Sequence, residues 1–197
     1  MNSIRRTLVF ASIVALSLIA VPRADAGQVS DQLRSRLDRV VSILEDRSLR
    51  ARPEARRAEL RGAATEIFDF TEITRRSLGR HWQAATPAER EELVQLFTAL
   101  LERSYVDRVE QFNGERITLA GEVLDGDLAT VRTRLVSKSG TETAVDYRLH
   151  RVGDRWLAYD VSVEGVSMVA NYRAQFNKII QASSAQGLVQ RLRAKQE

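Results

Sequence analysis

Apolar residues recur along this chain first at helical spacing, then at strand spacing, then at helical spacing again. From Val29 to about Arg47, the positions Leu33, Leu37, Val40, Val41 and Leu44 make one narrow stripe, the mark of an amphipathic helix. Pro53 opens a second helix with Leu60, Ala63, Ala64, Ile67 and Phe68 on its inner face, and Phe70, Ile73 and Leu78 predict a short third that stops near Gly79. Thr86-Pro87-Ala88-Glu89 then spells a capping box with proline at the first helical position. The helix it starts carries Leu93, Leu96, Phe97, Leu100, Leu101, Tyr105, Val109 and Phe112 at spacings of three and four, and ends at Asn113-Gly114. It is expected to lie along the full length of the sheet that follows.

Beyond that helix the period changes to two. Four strands are predicted, with Ile117, Leu119 and Val123 on the first and Ala129, Val131, Thr133 and Leu135 on the second. Thr143, Val145, Tyr147 and Leu149 follow on the third, and Leu157, Tyr159, Val161 and Val163 on the fourth. All are odd positions, and side chains alternate across a strand, so one apolar face requires hairpin loops of odd length. Leu124-Asp125-Gly126, Lys138-Ser139-Gly140 and Arg151-Val152-Gly153 read as three-residue loops with glycine third. Arg132, Arg134, Arg148 and Trp156 fall on the opposite face. At Glu164-Gly165 the strand pattern passes into a helix carrying Val166, Val169, Tyr172, Arg173 and Phe176, and a last helix, about Ala185 to Arg193, carries Leu188, Val189 and Leu192. The expected fold class is α+β: N-terminal helices, a four-stranded antiparallel curled sheet and C-terminal helices, with an apolar space between sheet and helices. Periodicity leaves open whether that space is filled core or a ligand cavity.

The first 26 residues belong to none of these elements. Arg5 and Arg6, thirteen uncharged and mostly apolar residues from Leu8 to Ala20, and Ala24-Asp25-Ala26 have the form of a cleavable signal peptide. Pro22 and Arg23 end the apolar run short of the roughly 20 residues a membrane-spanning helix needs. A mature chain starting at Gly27 is expected to be one domain over residues 27–197. With no cysteine in the chain, a lipid-anchored N-terminal cysteine and a disulfide framework are both excluded. Removal of Arg5, Arg6, Arg23 and Asp25 reduces the formal charge of +4 to +2, so the balance gives no reason to expect a nucleic-acid partner.

Candidate chemistry is sparse. His81 and His150 stand alone, without a second histidine at ligand spacing, and no serine has a nucleophile-elbow context. Asp69, Asp146 and Asp160 are carboxylates inside patterned segments. On face parity Asp146 and Asp160 point outward, to pair with arginines across strands rather than to act as a base in a cavity. Arg173 sits within an inner stripe, where a charge must be paired or reach a polar rim. No catalytic residue, metal ligand or cofactor is expected.

Two stretches carry a specific resemblance. FDFTEITRRSLGRHWQAATPAEREELVQLFTALLERSY, Phe68 to Tyr105, followed by Gly114-Glu115, and WLAYDVSVEGVSMVANYRAQF, Trp156 to Phe176, resemble the MlaC-type phospholipid-binding family, also known as toluene-tolerance proteins. The resemblance implies a periplasmic α+β carrier of glycerophospholipid, with acyl tails held between sheet and helices. Its implied partners are an outer-membrane lipoprotein complex and an inner-membrane ABC transporter complex, in a pathway that maintains outer-membrane lipid asymmetry. Applied to the faces above, it yields a sheet wall of Val131, Leu135, Val145, Tyr147, Tyr159, Val161 and Val163. The matching helical wall is Leu96, Phe97, Leu100, Val166, Val169, Tyr172 and Phe176, with Arg173 near a polar opening. The alternatives are a lipid-binding protein of a hopanoid pathway, a packed interaction domain without ligand, and a small cavity enzyme of isomerase or dehydratase type. The last would need an inward acid or base, which the odd face lacks.

Overall fold

A computed structural model describes residues 27–112 and 114–195. The expected signal peptide and Asn113 of the helix stop lie outside the described residues. Three helices come first: α1 (Gln28–Glu45), α2 (Arg47–Arg50) and α3 (Pro53–Ile67). Arg50 and Arg56 both donate to the Leu44 carbonyl, which satisfies an acceptor at the C-terminal end of α1. The next three are α4 (Phe70–Leu78), α5 (His81–Ala84) and α6 (Pro87–Glu110). The capping box of α6 is formed as its sequence predicts, with Thr86 accepting from the Glu89 amide and Glu89 from the Thr86 amide.

The sheet is an antiparallel meander, β1 (Arg116–Asp125), β2 (Leu128–Val136), β3 (Glu142–Val152), β4 (Arg155–Val163) and β5 (Val166–Ser167), in that spatial order. It has one strand more than expected, because Val166 pairs with Val163 instead of starting a helix. Helices α7 (Met168–Ala182) and α8 (Ala185–Ala194) complete the chain.

All three long hairpin loops differ in length from expectation; the β2–β3 loop, 137–141, has five residues and keeps the odd parity, but the other two do not. Asp125 pairs with Leu128 and Val152 with Arg155, so these loops hold two residues, Gly126-Asp127 and Gly153-Asp154, with a left-handed glycine first. That is the arrangement of a II′ turn, whose twist matches the flanking strands. An even loop opposes odd residues to even ones, and in each hairpin a β-bulge restores the parity farther along. In β1 the extra residue lies between Leu119 and Gly121, and in β4 it is Tyr159, between the pairs Arg148–Asp160 and Leu149–Ala158. Odd positions therefore share the inner face beyond the bulges, at Ile117, Leu119, Val161 and Val163, but not near the turns. Leu124 and Glu122 replace Val123, which is 50% exposed, and Trp156 and Ala158 replace Leu157 and Tyr159.

Helix α6 does not run along the sheet. Its neighbours are α4, α8 and α3, and its apolar stripe seals a helical core of Ile73, Leu93, Phe97, Val169, Phe176 and Leu188. The inner face of the sheet is covered instead by α1 and the end of α3, through Val29, Leu33, Leu37 and Ile67 against Val131, Leu149, Trp156 and Ala158. A parallel bridge from Phe68 to Ala158 fixes α3 against β4.

Candidate functional site

The register resolves the inner face into four cross-strand rows. Leu124, Ala129, Leu149 and Ala158 form the first; Glu122, Val131, Tyr147 and Val161 the second. Leu119, Thr133, Val145 and Val163 form the third, and Ile117, Leu135 and Thr143 the fourth. Burial falls along the rows except at Thr133, which stays buried and donates to the Val145 carbonyl: Ala129, Leu149 and Ala158 are fully packed, whereas Leu119 is 37% and Val163 47% exposed, and Val145, Ile117 and Leu135 are half-buried. The first row is plugged by α1, and the face opens toward the β2–β3 hairpin. The segment between α6 and β1 reaches the same region, since a Cβ on Gly114 would lie 3.2 Å from the Lys138 side chain, and Tyr105 and Val109 are exposed on the last turns of α6.

Glu122 sets where the plug sits. The two-residue β1–β2 loop turns its carboxylate inward, opposite Val131, where it accepts from the Ser30 amide at 2.8 Å, from the Ser30 hydroxyl and from the Gly27 amide at 3.4 Å. Free amides at the start of α1 thus find their acceptor on the sheet, and the helix dipole favours the negative charge there. Gln32 bonds the Trp156 amide and the Asp154 carbonyl, and Arg36 the Trp156 carbonyl, so α1 is also tied to β4. Tyr147 stands at the border of the open region, and burial pushes its hydroxyl up to about 12.

The opposite face holds most of the charged groups. Asp160, 2% exposed, accepts from the Val169 amide at 3.0 Å and the Ser167 hydroxyl at 2.6 Å, with Arg148 at 3.4 Å. It points outward as parity predicts, but it is buried and holds the start of α7 to β4. Asp69 caps α4 through the Glu72 amide and reaches His150 at 3.1 Å. The Tyr159 ring has His150 at its edge and the Arg76 guanidinium 3.7 Å from its centroid, which places it under α4 and away from the inner face.

The expected sheet wall and helical wall do not face each other. Val131, Leu135, Val145, Tyr147, Val161 and Val163 share the inner face of the sheet, while Leu96, Phe97, Leu100, Val169, Tyr172 and Phe176 belong to the separate helical core. Phe97 there meets Tyr172 and Phe176 edge-on, with centroids 4.8 and 4.9 Å apart. Val166 is in neither set, and lies 66% exposed on β5. Arg173 donates to the Arg76 carbonyl at 2.7 Å beside Gly79, so its charge serves the C-terminal end of α4. A second concavity of about 480 Å³ opens among α6, α7 and α8, over Leu100, Phe176 and Leu192. Among the described residues no three His, Cys, Asp or Glu side chains gather as metal ligands, and no helix is long and apolar enough to cross a membrane.

An antiparallel sheet plugged at one end of its inner face, with helices before and after it, defines the molecule as an α+β protein with a partly exposed apolar sheet face. The chain belongs to the MlaC protein family, whose model matches residues 34–194. Toluene tolerance protein ttg2D of Pseudomonas putida is 25% identical over 103 residues, 52% of this chain and 48% of that protein, so the match spans about half the relative's length. A solved structure, the phospholipid-binding protein of Ralstonia solanacearum in complex with a phospholipid, has the same fold. Its TM-score is 0.76 at 24% identity, covering 84% of this chain and 95% of that one.

Proposed function

We propose that the chain is a carrier of glycerophospholipid rather than an enzyme. An N-terminal leader, residues 1–26, is removed on export to the periplasm, and residues 27–197 act as one lipid-binding domain. That domain exchanges lipid with an outer-membrane lipoprotein complex and an inner-membrane ABC transporter complex. The observation that carries the reading is incomplete burial on the inner face: apart from Thr133 and Thr143 its third and fourth rows are apolar, and Leu119 and Val163 remain exposed. An acyl chain laid on these rows removes them from water without any catalytic group. Each buried methylene contributes about 0.8 kcal/mol, so roughly ten supply about 8 kcal/mol, the scale of micromolar affinity. Family membership and the phospholipid held by the Ralstonia solanacearum protein support the same assignment. The lipid is cargo and not a cofactor.

Native mass spectrometry of the mature protein purified from cells, followed by solvent extraction, is the test. Co-purified glycerophospholipid is the expected result, and protein that is reproducibly empty and takes up none from vesicles overturns the reading. Val145→Trp, which fills the third row, should lower bound lipid severalfold while leaving the fold intact by circular dichroism. Full lipid in that variant would mean that the tails lie elsewhere.

A further inference from the structure

The groove among α6, α7 and α8 has no strand residue in its lining. Its floor is Leu100, Phe176, Leu188 and Leu192, packed in the helical core, and Tyr172 and Ile179 make its α7 wall. At about 480 Å³ it falls within the roughly 300–1,000 Å³ of small-ligand sites. Helix α8, at 10 residues, is roughly 15 Å long, which suits one acyl chain of medium length laid along it.

The polar edge is selective in sign. Arg191 and Lys195 line the groove, and among the described residues no carboxylate does. Among the described residues neither cation has an acidic partner, whereas Arg193, between them on the same turn, is taken up by Glu92 on α6. The dipole of α8 accounts for basic residues in its last turn, but not for two unpaired ones at the edge of an apolar groove. We infer that this groove is a second site, separate from the sheet face, for a single-chain amphiphile with an anionic end such as a fatty acid. The chain lies over Leu188 and Leu192, and the anionic end meets Arg191 and Lys195. This site goes beyond the phospholipid-carrier reading and stands without it.

The probe is dansyl-labelled undecanoic acid, added to delipidated mature protein and followed by fluorescence. Saturable binding at one probe per protein is expected. Reversing both rim charges, Arg191→Glu with Lys195→Glu, should weaken it about tenfold, the usual loss of a charge-assisted contact. These two side chains are exposed, so the variant should fold as the parent does. Ile179→Trp should exclude the probe, and phospholipid co-purification should be unchanged in both variants. Val145→Trp should show the reverse pattern, with probe binding kept and phospholipid lowered. No saturable binding, equal binding by the charge-reversed variant, or loss of the probe in Val145→Trp would each overturn the assignment; the last would place the fatty acid on the sheet face.

Discussion

Two glutamates show how single carboxylates position the layers. Glu122 lies 92 residues from Ser30 in sequence, yet its carboxylate is the acceptor for the first turn of α1. Removing an N-terminal cap costs about 0.5–2 kcal/mol, so Glu122→Ala should lower stability by about 1 kcal/mol or more in urea unfolding. An unchanged midpoint would mean that solvent replaces the contact. Glu72 answers to pH. Burial pushes its carboxyl upward, but the hydrogen bonds and charges of Arg75 and Arg76 outweigh it and hold the pKa below the ordinary value. A depressed carboxylate adds stability above its unfolded pKa and loses it as pH falls through the folded one. Glu72→Gln should therefore be less stable than the parent near neutrality, by about 1 kcal/mol given the partial exposure of both arginines. The difference should close as pH drops below the usual carboxylate range; a gap constant with pH would assign it to packing. The Glu122 role was not visible in sequence, since it faces inward only because the β1–β2 loop closes in two residues; the Glu72 pairs lie at the three- and four-residue spacing of one helix, and only their partial burial comes from packing.

At the scale of elements, legibility follows the range of the signal. The α6 start was readable because Thr86 and Glu89 cap within four residues, and the inner-face assignment held wherever strands lie beyond the bulges. It failed at Val123, Leu157 and Tyr159 because face parity depends on loop length, and Gly126-Asp127 and Gly153-Asp154 close in two residues instead of three. The long reach assigned to α6 failed for another reason: an apolar stripe shows that a helix is covered but not by what, and α1 took the sheet. The junction at Glu164-Gly165 reads in sequence as a hinge, but both residues have positive φ, +48° and +78°, in a tight turn. Val163 pairs with Val166 across it, and the Glu164 carboxylate accepts from the Ala144 amide. A left-handed conformation costs a residue with a Cβ about 1–2 kcal/mol. Gly165→Ala should accordingly destabilise the protein by about 1 kcal/mol in thermal melts, and a neutral result would mean that the turn relaxes without loss.

For the molecule as a whole, three cores among the described residues divide the work. The helical core and the α1-plugged end of the sheet are packed, and a small cluster of Ile43, Leu44, Leu60 and Ala63 joins α1 to α3. In the proposed function, the open rows are the part that a lipid completes. A ligand bound only by the folded state adds about 2.7 kcal/mol at a hundredfold excess over Kd. For a chain of this length that is about 5–10 °C in Tm. Protein stripped of lipid should therefore melt lower and recover with added phospholipid, in proportion to the logarithm of its concentration; a flat response would place the lipid off the folded surface. The bulges carry one more consequence, for how such a sheet can change over generations. Each works as a frame correction: if Ala120 paired regularly with Thr133 instead of bulging, Ile117 and Leu119 would turn outward and Arg116 and Thr118 would enter the apolar rows, whereas its deletion closes the bulge and keeps the faces. Substitutions along β1 and β4 can be absorbed one side chain at a time, but deletion of a paired residue, with the bulge kept, inverts the part of the strand beyond it. Insertions and deletions are tolerable in the five-residue loop 137–141, where an added residue changes a turn and leaves the faces as they are.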